Sequence, residues 1–114
     1  MAYKIKTFSF LSNIPSKEKY KIVQNICNIE RANKEWYLLK SKTDNIYKNI
    51  LLQPENKLDK VMNCLENTSK LIIEKDFINK YTQKEWYEDY FCKTVYYKHK
   101  NEAVEEFLYY YLNN

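Results

Sequence analysis

Residues 16–41 read SKEKYKIVQNICNIERANKEWYLLKS, and this stretch decides the fold class. Tyr20, Val23 and Cys27 recur at intervals of three and four, with Ile22, Ile26 and Ile29 on an offset line. Ala32, Trp36 and Leu39 carry the stripe onward. That spacing is one face of an α-helix and not the alternation of a strand. Ser16 follows Pro15 and supplies a capping hydroxyl, while Glu18 sets negative charge in the first turn against the positive helix end. The spacing predicts one long amphipathic helix over about 16–41.

The same period continues toward the C-terminus. Thr43 or Asp44 caps a shorter segment with Ile46, Tyr47, Ile50 and Leu51 on one side. Pro54 ends that segment and opens the next helix, because the first helical position needs no N–H. Leu58, Val61, Met62 and Leu65 form its apolar face. Asn67–Ser69 reads as a polar break, followed by Leu71, Ile72, Ile73, Phe77 and Ile78 at helical spacing. Thr82-x-x-Glu85 is a capping box ahead of Trp86, Tyr87, Tyr90 and Phe91. After a tight break at Tyr90–Cys92, a last helix over roughly 93–112 aligns Tyr96, Ala103, Phe107 and Tyr110. Before residue 16, apolar groups at 3, 5, 8 and 10 suggest a short extended arm that packs on helices. The expected fold is all-α, a compact bundle of five or six helices in a single domain over 1–114.

Composition limits the chemistry. A chain of 114 residues holds one core. Glycine is absent, which removes dinucleotide fingerprints and phosphate-cradling loops, both of which need it. Cys27, Cys64 and Cys92 are too widely spaced for a metal pattern, and any disulfide would leave one thiol over. They read as reduced thiols, two of them semi-buried. His99 is the single histidine, so no Cys-His or Ser-His pair suggests itself. The acidic neighbours Glu105 and Glu106, and Glu88 and Asp89, point different ways on a helix and make no acid/base pair. An enzyme is disfavoured, and no cofactor is expected. With no signal-like apolar run and no span of 18 apolar residues, the expected place is the cytoplasm, away from membrane. The formal charge of +4 is uneven. Residues 1–53 carry ten basic and four acidic side chains, residues 54–114 nine and eleven.

One stretch speaks to function. Residues 71–108 read LIIEKDFINKYTQKEWYEDYFCKTVYYKHKNEAVEEFL: a helix, a link, a capped short helix, a tight break, then a helix opening on Lys93-Thr94. The phrase from Cys92 to Ala103, with Phe107 after it, resembles the start of the recognition helix in sigma-factor C-terminal helix-turn-helix domains. It is also similar to the related ArpU and RinA type of phage transcription regulators. The resemblance covers about the last 40 residues, with a helix-turn-helix-like part over 69–112 and a basic N-terminal part over 1–66. It implies a DNA-binding regulator of transcription, encoded by a phage, that lays the helix starting near Lys93 into duplex DNA.

The residues suit that implication. Tyr96, Ala103 and Phe107 supply the buried side of such a helix. Lys93 and Thr94 occupy its first turn, where free N–H groups and the dipole also favour a phosphate. Lys98 and Lys100 are placed to neutralise phosphates, and Tyr97 and Asn101 to reach base edges. The phrase holds no arginine, so its lysines act as point charges and not as bidentate readers. In this reading the N-terminal helices dimerise, contact DNA backbone or touch RNA polymerase. The competing reading is a non-enzymatic inhibitor or immunity-type helical protein that acts on a host or partner protein by contact. The 12 tyrosines fit core or interface use, and Tyr109–Tyr111 cannot all be buried on one helix, which suggests a homodimer seam or a contact with a protein partner.

Overall fold

The computed structural model describes residues 13–41, 57–79 and 83–113. Four α-helices lie within them: α1 (Ser16–Ser41), α2 (Lys57–Cys64), α3 (Asn67–Ile73) and α4 (Lys93–Leu112). α3 runs on into a π-helical stretch, Glu74–Ile78, and one turn of 3-10 helix, Trp86–Asp89, precedes α4. No strand occurs among the described residues, so the all-α expectation holds. The expected arm at 3–10 and the expected short helix after Thr43 lie outside the described residues, and so does Thr82 of the capping box.

α1 has the expected bounds, but its start differs in detail. The Pro15 carbonyl accepts the N–H groups of Glu18 and Lys19 at 3.0 and 3.1 Å, so Pro15 holds the capping position and Ser16 is the first helical residue. Proline suits this place, since it needs to give only its carbonyl. The apolar stripe of α1 is buried over its first half alone. Val23 and Cys27 are sealed in the core, whereas Ile29 and Leu39 are exposed. The spacing was right, yet periodicity does not tell how far along a helix its neighbours reach.

The expected polar break at Asn67–Ser69 is instead the first turn of α3. The reason lies on α4. Glu106 is only 3% exposed and accepts the Glu66 N–H on one carboxylate oxygen and the Ser69 hydroxyl on the other, both at 2.8 Å. A carboxylate from another helix thus caps α3, doing what the local sequence does not. Its neighbour Glu105 faces away and pairs with Lys19 of α1 at 2.9 Å. The two adjacent acids do point different ways.

The core sits around the C-terminal half of α4. Ala103, Val104, Phe107 and Leu108 pack with Val23 and Cys27 of α1, Val61 and Met62 of α2, and Ile72, Ile73 and Phe77. Tyr110 and Tyr111 pack half-buried against this cluster, and Tyr111 donates to Glu30 of α1 at 2.8 Å. Tyr109–Tyr111 are each half-buried within one chain.

The thiols divide as one buried and two exposed, not the two semi-buried expected. Cys27 is buried, and burial pushes its thiol from 9.0 up to about 12, with Arg31 opposing the rise. A raised folded value means that Cys27 stabilises the fold below about pH 9 and that this contribution fades between about 9 and 12. A thiol-disulfide reagent at pH 8 is expected to titrate Cys64 and Cys92 promptly, and Cys27 only after unfolding by urea. Three fast thiols in the native protein would contradict the core placement of Cys27.

Candidate nucleic-acid interface

α4 has two halves with different surroundings. Its C-terminal half is core, while its first two turns stand clear: Lys93, Thr94, Tyr97 and Lys98 are all exposed. At about 100° per residue these four fall within one arc of about 140°, on a single side of the helix. The first hydrogen bond of α4 runs from Tyr96 N–H to the Cys92 carbonyl at 2.9 Å, and Cys92 makes no side-chain cap. The N–H groups of Lys93, Thr94 and Val95 therefore line the helix mouth, where the dipole is positive. No carboxylate among the described residues lies within ion-pair reach of Lys93 or Lys98.

Two of the six expected contact residues are engaged elsewhere. Lys100 is turned inward, its side chain 17% exposed and its Nζ 3.5 Å from Asp76. The same Nζ donates to the Tyr96 hydroxyl at 3.3 Å and lies 4.6 Å from the centre of the Tyr20 ring. Asn101 accepts the Tyr20 hydroxyl on its carboxamide oxygen. Positions 96, 100, 103 and 107 follow one line of the helix, so Lys100 shares a side with the buried Tyr96, Ala103 and Phe107. Its being a lysine is what suggests an outward position, and the structure corrects that.

Asp76 organises this junction. It accepts Trp86 Nε1–H at 2.8 Å on one oxygen and the Tyr96 hydroxyl on the other, with Lys100 beside it. The π-helical stretch places it there. The Asn79 N–H reaches the Glu74 carbonyl at 2.8 Å, closing a wider turn that keeps Phe77 in the core while Asp76 faces α4 and Trp86. Burial and the bond to Asp76 push the Tyr96 hydroxyl well above the ordinary tyrosine range, so it stays a donor throughout the physiological range. Aromatic faces complete the joint. Tyr87 stacks on Tyr96 with ring centres 3.9 Å apart at 8°, and Trp86 meets Tyr96 edge-on at 6.0 Å.

The segment before α4 is not the capped helix expected there. Trp86–Asp89 is a single 3-10 turn, bonded from Trp86 N–H to the Gln83 carbonyl and from Glu88 N–H to that of Glu85, both at 3.2 Å. Trp86 and Tyr87 of this turn are laid on the first turns of α4 through Tyr96. Glu85, Glu88 and Asp89 are exposed on this turn.

A cleft of about 600 Å³ opens between the π-helical stretch, the residues before the 3-10 turn and α4. Lys75, Gln83, Lys84 and Glu85 border it together with Lys93 and Tyr97. Sequence reasoning missed Asp76, Lys75 and Lys84. A signal for Asp76 was present: at helical spacing it falls between Ile72 and Ile73, so an acid stands on an apolar face. Nothing comparable marked Lys75 and Lys84, which border the same cleft as Lys93 of α4.

Among the described residues no three His, Cys, Asp or Glu side chains gather so as to hold a metal ion, and no helix is long and apolar enough to cross a membrane. Comparison of the chain with protein-family models, curated proteins and solved structures gives no match.

Proposed function

We propose that the chain is a small DNA-binding regulator that sets the first two turns of α4 against duplex DNA. Lys93 and Lys98 neutralise phosphates in this reading, and Thr94 and Tyr97 meet base edges. Lys100 and Asn101 hold α4 to the body instead. What supports the reading is the shared exposure of Lys93, Thr94, Tyr97 and Lys98 on one side of a helix mouth, with neither lysine in an ion pair among the described residues. A helix presented end-first offers lysines and backbone N–H groups to the same phosphate.

The test is the salt dependence of duplex binding. Each lysine removed from a phosphate is expected to reduce the slope of log affinity against log salt by about one unit, so Lys93→Ala with Lys98→Ala should reduce it by about two. Lys100→Ala should leave the slope unchanged, because its ammonium is held by Asp76. Absence of duplex binding at low salt, or a slope indifferent to Lys93 and Lys98, overturns the reading.

A second reading, a non-enzymatic binder of a partner protein, is favoured by one observation: Ile29 and Leu39 are 58% and 61% exposed on α1. It anticipates stable capture of one protein from nuclease-treated lysate, unaffected by Lys93→Ala.

A further inference from the structure

We propose that the cleft beside the mouth of α4 is a site for a single unstacked nucleotide, with its base against Tyr97 and its phosphate among Lys75, Lys84 and Lys93. The inference rests on the mouth of α4 being a nucleic-acid surface and adds, beside duplex, an unpaired nucleotide that Lys93 and Tyr97 accept from the cleft side.

Size comes first. A volume of about 600 Å³ suits one nucleotide with its bound water, and leaves no room for a duplex. Charge comes next. Lys75 lies on the π-helical stretch, Lys84 ahead of the 3-10 turn and Lys93 on the first turn of α4, so three separate elements bring cations to one cleft. None of the three has an ion-pair partner among the described residues, whereas Lys19, Lys21, Lys34 and Lys100 each have one. Lys100 also borders the cleft, but Asp76 offsets it, and Glu85 is the remaining carboxylate on the rim. Three uncompensated ammonium groups facing one carboxylate make a site for an anion, and the N–H groups at the mouth of α4 reinforce it.

The cleft is also more than an anion site. Tyr97 borders it with 42% of its surface exposed, and its ring stands edge-on to Tyr96 at 4.9 Å. Tyr96 is in turn stacked on Tyr87, so the wall behind Tyr97 is stiff. A stiff, exposed ring beside phosphate-seeking lysines is the arrangement on which an unstacked base settles. Gln83 offers an amide donor and acceptor to the base edge, and the Glu85 carboxylate accepts from an exocyclic amine. Adenine and cytosine carry that amine; thymine does not. A base inside a duplex presents no free face, so the site takes a free nucleotide or a nucleotide of a single strand.

The experiment titrates the full chain separately with deoxyadenosine monophosphate, thymidine monophosphate, inorganic phosphate, a 5′-phosphorylated tetradeoxyadenylate strand and a duplex, following amide NMR shifts. The expected result is that deoxyadenosine monophosphate binds about tenfold tighter than inorganic phosphate, shifting Lys75, Lys84 and Tyr97, with thymidine monophosphate weaker. Lys75→Ala with Lys84→Ala should lose about tenfold of that affinity, and Tyr97→Phe should retain what Tyr97→Ala loses. A strand that binds much tighter than the mononucleotide identifies a single strand as the source; equal affinities identify a free nucleotide. Deoxyadenosine monophosphate binding no tighter than phosphate overturns the proposal, as does indifference to Lys75 and Lys84. The two readings fail separately. Loss of duplex binding with retained, Lys75-dependent nucleotide binding removes only the duplex reading, and duplex binding without nucleotide preference removes only the cleft.

Discussion

Replacing Asp76 with alanine is expected to destabilise the protein by about 3 kcal/mol or more and to loosen the start of α4, because it strands three donors at once. Trp86 Nε1–H and the Tyr96 hydroxyl each lose their acceptor, and the Lys100 ammonium is left half-buried without its counter-charge. The graded series is informative. Tyr96→Phe removes one hydrogen bond to a charged acceptor and should cost about 1.5–3 kcal/mol. Asp76→Asn keeps one acceptor but turns an amide donor toward the remaining donors, and should fall closer to alanine than to wild type. Urea unfolding measures the series, and Trp86 emission in a Trp36→Phe background reports the joint itself. An Asp76→Ala protein with wild-type stability and emission would show that the joint is held by aromatic packing alone.

Glu106→Ala is expected to cost about as much, and at the opposite end of α4. The substitution leaves the buried Ser69 hydroxyl and the part-buried Glu66 N–H without their acceptor, a fully buried unmet group being worth about 1–3 kcal/mol. It also removes a negative charge from the mouth of α3. Glu106→Gln retains one acceptor and should lose roughly half as much. Ser69→Ala removes one donor and should cost least of the set. Hydrogen exchange of the α3 amides separates a local loss of the cap from global loosening: fraying confined to 67–70 is expected in Ser69→Ala, and loss of protection throughout α3 in Glu106→Ala. Equal exchange in all three would mean that the carboxylate does not hold α3.

Much of the helical framework was legible because apolar spacing reports it directly. The bounds of α1 and α4 follow from Tyr20, Val23 and Cys27, and from Tyr96, Ala103 and Phe107, whose intervals leave little choice of structure. The start of α3 was not legible, since its cap is Glu106, 40 residues away, and local residues carry no sign of it. The 3-10 turn escaped for a related reason. Trp86 and Tyr87 have ordinary helical credentials, and only their packing on Tyr96 shows that the chain spends them on α4. For the candidate site, a run of lysines on a helix records charge but not engagement. Lys93 and Lys98 stand outward and Lys100 inward, and the difference depends on Asp76, which reaches α4 through a π-helical turn that no residue pattern announces.

The 20 residues of α4 form one rod, clamped in the core near Phe107 and free at Lys93, about 21 Å farther along the axis. A lever of that length magnifies small disturbances. A tilt of about 5° at the clamp displaces the tip by about 2 Å, more than half the span of a hydrogen bond. Substitutions deep in the core can therefore misalign the tip without altering any residue there, and the Asp76 joint is the stay that limits the swing.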